Sequence, residues 1–456
     1  MTIPIPRNWW YRIAAILAFI IAQVIVLVVP MKMQEPGDWT YRYATENFAA
    51  GQLTIDESQY IAESQDVWDS FGQFLGYARV GEDKWGLTVA PGYAFFLVPF
   101  QAAGIPQMAA SLLSLGLAVV LYLLIARMKG EKAAVFGLVL LLFTPLYLAM
   151  WQRVYMDALA ALAFCGIGGG LYFYYWVTRD GHKPGRDIAL LSAAGFFIAA
   201  GTAVRYTNIL IAAVFGVHFL YMAVRCHIRR ERFLPNGLYF LLGAAVPFAG
   251  LLAYQAIVFG SPFSYGYQFS QLPINFAWQY IGGPIAYQIV RTNFINLWAT
   301  LLIAFLVSMI AIPAFFAAAY FKLWTKKGYE EWTELPDHVY LAMLGWVVAV
   351  FGLYIMYNWT AYQPVASMPF PLLTRFYLPA LFPLIVIASL ALARIVDKVA
   401  ISVLVTAAML GMIFFIQAAR MHVQFAGQIT IPSLSLPVQN SAPDHLRIYF
   451  VEGARL

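Results

Sequence analysis

Charged residues are scarce in this chain. Of its 456 residues, 11% are charged and 62% are hydrophobic, and the mean hydropathy is +0.71. A soluble domain carries roughly 25% charged residues, so the chain cannot cover itself with a solvated surface. This excludes disordered, collagen-like and disulfide-scaffold proteins and indicates a polytopic membrane protein. The aromatic share of 17% suits the aromatic belts found at membrane interfaces.

Metal-binding and nucleotide-binding motifs are also missing. The two cysteines, Cys165 in an apolar run and Cys226 in a basic loop, predict neither a disulfide nor a metal site. The chain has no Walker motif and no glycine-rich phosphate loop after a strand, which argues against chemistry driven by a nucleotide. The sequence therefore indicates no particular cofactor, although carboxylates in one outer loop could bind a divalent cation.

Long apolar runs fill most of the sequence. Eleven of them have roughly the length that crosses a bilayer: 11–30, 107–127, 133–150, 157–177, 188–203, 207–224, 237–259, 296–321, 338–357, 376–393 and 399–419. The shorter run 88–103 is interpreted as an interfacial or re-entrant helix. We expect an all-α polytopic bundle of about 11–13 transmembrane helices, with a helical first outer loop.

Basic residues predict how this bundle is oriented. Arg7, Arg12 and five loop clusters hold 17 of the 28 lysines and arginines, and the positive-inside rule places them in the cytoplasm. This charge pattern explains the net charge of +6 without a nucleic-acid partner. The predicted organisation is an N-terminal anchor helix (1–30), a first outer loop with amphipathic helices (31–106), a transmembrane bundle (107–259), a second large outer loop (260–293), a C-terminal transmembrane bundle (294–419) and an outer tail (420–456).

Acidic residues gather in the first outer loop. Ten of the chain's 22 acidic residues lie in 31–87, and Asp38 stands at the predicted N-cap of an amphipathic helix that ends near Gly51. Capping alone would explain Asp38. Alternatively, a carboxylate at the mouth of the bundle could serve as a general base; the next candidates for that role are Asp157, then Glu35 and Glu46.

Four charged residues lie where predicted spans reach the outer interface. Arg153 and Asp157 are four residues apart and could form an ion pair on one helix. Arg205 and Arg375 begin or end apolar runs with no matched acidic run beside them. The planar guanidinium group suits phosphate, although both side chains could instead reach lipid headgroups. We expect Arg205 and Arg375, with Arg153, to bind an anionic group.

The order of these motifs resembles the GT-C superfamily of integral-membrane glycosyltransferases, and most closely its protein mannosyltransferase and aminoarabinose transferase branch. The resemblance is carried by Gly37-Asp38-Trp39 with the helix up to Gly51, by Ala90-Pro91-Gly92-Tyr93, by Thr144-Pro145 with Arg153 and Asp157, and by Phe259-Gly260-Ser261-Pro262 with Thr374-Arg375-Phe376-Tyr377-Leu378-Pro379. It departs from the mannosyltransferase pattern at Trp39, where an acidic residue is usual, and at the single Pro91.

The resemblance implies transfer of a sugar from a polyprenyl-phosphate carrier to an acceptor hydroxyl on the outer face of the plasma membrane. It places the catalytic carboxylate at Asp38, and Asp157 is the second catalytic candidate. A lipid or glycan acceptor is expected more than a protein. Four tyrosines, Tyr41, Tyr93, Tyr265 and Tyr267, are candidates to contact the substrates, or they belong to an interfacial belt.

Two other functions remain open from the sequence. A lipid or polysaccharide transporter or flippase would need a polar path through the bundle, and the apolar runs carry no carboxylate except Asp157 at one end. A membrane assembly partner would need no outer carboxylate.

The predicted orientation can be tested by cysteine labelling. In a variant that lacks Cys165 and Cys226, Ser58→Cys should react with an impermeant maleimide in intact cells, since 31–87 is predicted to lie outside. Lys326→Cys should react only after permeabilisation, because basic loops stay in the cytoplasm. Labelling of both positions from outside would show that the orientation is wrong.

Overall fold

The computed structural model describes residues 7–28, 36–71, 75–178, 184–228, 234–270, 276–277, 337–357 and 375–395, and helices form most of this described part. All of these belong to one compact unit that spans Met1–Thr406. The predicted spans 296–321 and 399–419, most of the second outer loop and the tail 420–456 lie outside the described residues.

The membrane-spanning helices agree with the apolar runs. The long helices are α1 (Arg7–Val28), α5 (Gln107–Lys129), α8 (Asp157–Val177), α9 (Pro184–Val204), α10 (Ile209–Ile228) and α11 (Leu234–Phe259). Each contains a segment long and apolar enough to cross a membrane. Shorter apolar helices are α4 (Gly92–Ala102), α13 (Asp337–Ile355) and α14 (Leu381–Ile395). The chain is therefore an all-α polytopic membrane protein, as predicted.

The first outer loop contains a small sheet that the sequence analysis did not predict. Its elements are α2 (Pro36–Ala49), β1 (Thr54–Asp56), α3 (Glu57–Phe71), β2 (Tyr77–Arg79) and β3 (Lys84–Leu87). The three strands are antiparallel in the order β1-β3-β2. Gly86 of β3 packs so closely on α11 that an added Cβ would lie 2.7 Å from Val258. The loop is thus folded onto the bundle.

One predicted span is divided into two helices. The run 133–150 forms α6 (Glu131–Leu142) and α7 (Pro145–Gln152), which are separated at Thr144. Thr144 is extended, with φ −63° and ψ 120°, because proline disfavours a helical conformation in the residue before it. Pro145 then starts α7 at a position where its missing N–H costs nothing. Beyond this break α7 remains packed in the bundle, since Trp151 is buried and its ring contacts Phe19 of α1.

Helix α8 lies in the middle of the described bundle, and glycines allow its neighbours to approach. An added Cβ at Gly170 would lie 2.3 Å from a methyl group of Val120 in α5, and one at Gly169 would lie 2.6 Å from Trp346 in α13. Helices α9 and α11 are closer still, since a Cβ at Gly195 would lie 2.0 Å from the carbonyl oxygen of Phe240. Small residues at helix contacts are typical of membrane bundles.

Two contacts identify the opposite ends of the bundle. Arg12, near the start of α1, is ion-paired to Glu131, at the start of α6, with Nη2–Oε1 2.7 Å. At the other end of α1, Val26 and Leu27 lie beside Asp38 and the start of α5. Helices α9 and α10 are joined by a sharp turn at Arg205, where Tyr206–Asn208 form a 3₁₀ turn. Asp38 therefore lies at the end away from Arg12.

Candidate active site

Two buried ion pairs lie at the Asp38 end of the bundle. Asp38 is paired with Arg153, and both side chains are almost completely buried, at 2% and 1% exposure. Asp157 is paired with Arg205 through two hydrogen bonds, Nε–Oδ2 2.8 Å and Nη2–Oδ1 2.6 Å. Because isolated charges are costly to bury, each pair holds its two segments of chain together.

Asp38 is not the helix cap that the sequence predicted. Helix α2 begins at Pro36, so Asp38 lies inside its first turn. A carboxylate in this position is favoured by the helix dipole, and it is also within reach of Arg153. Replacement of Asp38 therefore removes the partner of a buried cation rather than a helix cap.

Arg153 and Asp157 do not pair with each other, and the expected contact between them is wrong. Arg153 follows the end of α7 with φ −97° and ψ 83°, and Asp157 opens α8 four residues later. Since no continuous helix joins them, they cannot form a side-chain pair along one helix face. Arg153 turns to α2, and Asp157 turns to Arg205.

Arg205 has an acidic partner, contrary to the expectation from sequence. It occupies the extended residue between α9 and the 3₁₀ turn, with φ −149° and ψ 115°. Its guanidinium carbon lies 5.5 Å from the centre of the Phe376 ring, and that of Arg375 lies 4.9 Å from the same centre. The two guanidinium carbons are consequently within about 10 Å of each other. The structure thus brings both predicted arginines to one aromatic ring.

Tyr41 of α2 and Tyr93 of α4 pack against each other. Their rings meet edge to face, with centroids 5.6 Å apart. The Tyr41 hydroxyl donates to the carbonyl of Ala90 at 3.3 Å, and the Tyr93 hydroxyl donates to the carbonyl of Val154. Burial raises the pKa of Tyr41 well above its usual value, so its phenol remains a donor. Both hydroxyls bind backbone and fix the position of α4 against its neighbours.

Tyr265 and Tyr267 lie beside the Arg205 turn. They flank the start of the short helix α12 (Gly266–Phe269), and their ring centroids are 5.5 Å and 6.2 Å from that of Tyr206. An added Cβ at Gly266 would lie 2.4 Å from the Cα of Thr88, so this part of the second outer loop packs on the first. Their predicted contact with substrate stays a prediction.

A cavity of about 570 Å³ opens beside Asp38. Helices α1, α2, α4, α5 and α7 and the residues after α7 supply its walls: Val26, Leu27, Asp38, Arg42, Glu46, Gln101, Pro106, Gln107, Ser111, Trp151, Gln152, Arg153, Val154 and Tyr155. The sequence analysis missed its three glutamines, Gln101, Gln107 and Gln152. They carry no charge and belong to no motif, and only the fold brings them together.

From the sequence, carboxylates of the first outer loop could bind a divalent cation. Within the described ranges, no group of three or more His, Cys, Asp or Glu side chains is placed to hold a metal ion. Glu35, a predicted alternative base, lies outside those ranges, while Glu46 lies in the cavity wall.

Comparison with known proteins finds similarity in the fold alone. The sequence matches no protein-family model and no curated protein. The structure is similar to ArnT from Cupriavidus metallidurans bound to undecaprenyl phosphate, with a TM-score of 0.53 and 13% identity over 85% of this chain and 61% of that one. It is also similar to ArnT in the apo state, with a TM-score of 0.51 and 14% identity over 83% and 59%.

A third similar structure is the archaeal oligosaccharyltransferase AglB from Archaeoglobus fulgidus, in complex with an inhibitory peptide and a dolichol-phosphate. Its TM-score is 0.52 and its identity 12%, over 92% of this chain and 54% of that one. ArnT, an aminoarabinose transferase, and AglB are both GT-C membrane glycosyltransferases. The resemblance seen in the sequence is confirmed at the level of the fold, and this chain spans less than two thirds of these structures' length.

The observed ion pairing can be tested by double-mutant cycles on the free energy of unfolding in detergent. Asp157→Asn and Arg205→Met should show a coupling of roughly 1–3 kcal/mol, because each removes the partner of a buried charge. The cycle that combines Asp157→Asn with Arg153→Met is the control and should show a smaller coupling. A larger coupling in the control would mean that Arg153 and Asp157 form the pair.

Proposed function

We propose that this chain is a glycosyltransferase that moves a sugar from a polyprenyl-phosphate donor to a hydroxyl group at the outer face of the membrane. The observation that carries the proposal is the position of Asp38. Its carboxylate lies in the wall of a polar cavity at one end of a GT-C-like bundle and is held there by Arg153. That cavity borders the membrane-spanning helices α1 and α5.

The chemistry requires a base of this kind. An alcohol is a weak nucleophile, so its proton must leave as its oxygen attacks the anomeric carbon. In the proposed reaction Asp38 accepts that proton, the new carbon–oxygen bond forms, and the bond between the anomeric carbon and the phosphate oxygen breaks. The leaving phosphate takes the electron pair. No nucleotide is needed because the donor is already activated.

The leaving phosphate carries negative charge that has to be stabilised. Arg205 and Arg375 meet at the Phe376 ring, and we assign the phosphate to this place. Two of the similar structures hold undecaprenyl phosphate and dolichol-phosphate, which supports a polyprenyl-phosphate donor for this chain. Arg153 is assigned to positioning Asp38, since the two side chains are directly paired.

Charge and geometry together support the proposed outer location. Arg12 and the basic residues near Glu131 lie at the end of the bundle away from Asp38. If the basic end is cytoplasmic, as the positive-inside rule requires, the Asp38 cavity faces outward, where a lipid-linked acceptor or a glycan is accessible.

Replacement of Asp38 separates its catalytic and structural roles. We expect Asp38→Asn to lower sugar transfer by about 10²–10⁴-fold, the usual scale for loss of a general base. It should also lower stability, because Arg153 loses its anionic partner. The double variant Asp38→Asn with Arg153→Gln should regain thermal stability without regaining transfer, and Asp38→Glu should keep part of the activity.

The same variants can also contradict the role of Asp38 as the base. If the double variant regains transfer along with its melting temperature, Asp38 is a structural partner of Arg153 and not the base. The next candidate would then be Asp157.

The phosphate assignment predicts what purifies with the protein. Mass spectrometry of the detergent-extracted wild type should find a polyprenyl phosphate or its sugar conjugate. Arg375→Lys and Arg205→Lys keep the positive charge but lose the bidentate geometry, so both should retain less of this lipid and raise the KM for the donor. Arg12→Lys at the opposite end is the matched control and should change neither. Equal lipid content in all four proteins would refute the assignment.

A further inference from the structure

The charges in the wall of the Asp38 cavity are balanced. Two acidic and two basic side chains line it, and they form two ion pairs, Asp38 with Arg153 and Arg42 with Glu46. Arg205 and Arg375, the cations assigned to the phosphate, are not among the lining residues. A ligand with a net charge would therefore find no unmatched counter-charge among the described residues of this wall.

Four polar side chains of the wall, including the Arg42–Glu46 pair, form a hydrogen-bonded network. The Tyr155 hydroxyl donates to Gln101 Oε1 at 2.7 Å, Gln101 Nε2 donates to Glu46 Oε1 at 3.4 Å, and Arg42 Nε donates to the same oxygen at 3.0 Å. These hydrogen bonds fix the direction of each donor and acceptor in the network. Amide, phenol and carboxylate groups together offer both donors and acceptors, which is the combination that hydroxyl groups match.

The cavity is continuous with a lipid-facing surface. Val26 and Leu27 at the end of α1 form one side of its rim, and Leu27 is 61% exposed. On α5, which supplies Gln107 and Ser111 to the wall, Met108 and Leu112 are also exposed. A molecule whose polar head fills the cavity can therefore keep its hydrocarbon chains along α1 and α5.

We infer that the cavity is the acceptor site and takes the uncharged, hydroxyl-rich headgroup of a membrane-anchored glycolipid, selected by Glu46, Gln101 and Tyr155. The inference rests on the proposed function, because a base must face the hydroxyl that it deprotonates and Asp38 lines this cavity. An anionic headgroup is disfavoured, since its charge would be desolvated beside carboxylates that already have their partners.

The inference can be tested by photolabelling without any donor. The full chain in nanodiscs is labelled with glucosyl-diacylglycerol that carries a diazirine next to the glycerol, and peptides covering 101–111 and 151–155 are quantified. Unlabelled glucosyl-diacylglycerol should suppress their labelling. Glucuronosyl-diacylglycerol, which differs by one carboxylate, should need at least a tenfold higher concentration for the same effect.

Variants of the wall complete the test. Gln101→Ala and Tyr155→Phe should each weaken competition by the neutral glycolipid at least fivefold, because each breaks the hydrogen-bonded network. Gln52→Ala, an exposed glutamine outside the cavity, is the matched control and should leave competition unchanged. Equal competition by the two lipids, labelling elsewhere, or insensitivity to Gln101→Ala would overturn the inference.

Failure of the inference and failure of the proposed function give different results. Transfer that depends on Asp38, combined with unselective labelling, overturns the acceptor inference alone. Selective labelling of a protein that transfers no sugar from any polyprenyl-phosphate donor overturns the proposed function, and it supports a neutral glycolipid site without catalysis.

Discussion

Burial of charge at the end of a membrane bundle is the constraint on which this structure depends. A carboxylate or guanidinium group removed from water needs a partner, and loss of one partner of such a pair costs roughly 3–5 kcal/mol. Asp38 and Arg153 are 115 residues apart in the chain, and Asp157 and Arg205 are 48 apart. The two pairs tie α2 to the segment after α7, and the start of α8 to the turn after α9. The first outer loop is thereby fixed to the bundle.

The fixed positions of Asp38 and Arg205 suit the proposed catalysis. A base accelerates proton transfer only if it is held within reach of the reacting hydroxyl. Arg153 and the first turn of α2 hold Asp38, while the Tyr41 and Tyr93 hydroxyls bind the backbone beside it. Arg205 is similarly held by Asp157, close to the ring that Arg375 also contacts. The proposed base and the proposed phosphate-binding arginines thus occupy separate, fixed positions, as a reaction with a proton acceptor and an anionic leaving group requires.

The sequence predicted the spans well and the contacts between charges poorly, for one physical reason. A span must satisfy its backbone hydrogen bonds within itself, so a local apolar run is sufficient to predict α5, α8 or α10. The fold determines which arginine pairs with Asp157. Arg153 is nearer to Asp157 in sequence, which is the basis of the predicted pair, but the fold brings Arg205 to Asp157 instead. The three-stranded sheet was missed for the same reason, since Thr54 pairs with Gly86 across a helix. Proline at position 145 is a local signal for a helix break, but the apolar run 133–150 continues through it and so predicts a single span.

The cavity proposed as the acceptor site could not be predicted from local sequence, because its three glutamines form no pattern in a sequence. Gln101 ends one apolar helix, Gln107 begins another, and Gln152 ends a third, so each looks like an ordinary interfacial residue. Once the helices meet, these residues line one cavity with two ion pairs whose charges cancel. In the proposed acceptor site, selection against charge arises from the pairing itself. The Asp38–Arg153 pair ties α2 to the segment after α7, and together with the Arg42–Glu46 pair within α2 it leaves no unmatched charge among the described residues of the wall. In the proposed site, the Asp38–Arg153 pair therefore contributes both to the position of α2 and to the choice of acceptor.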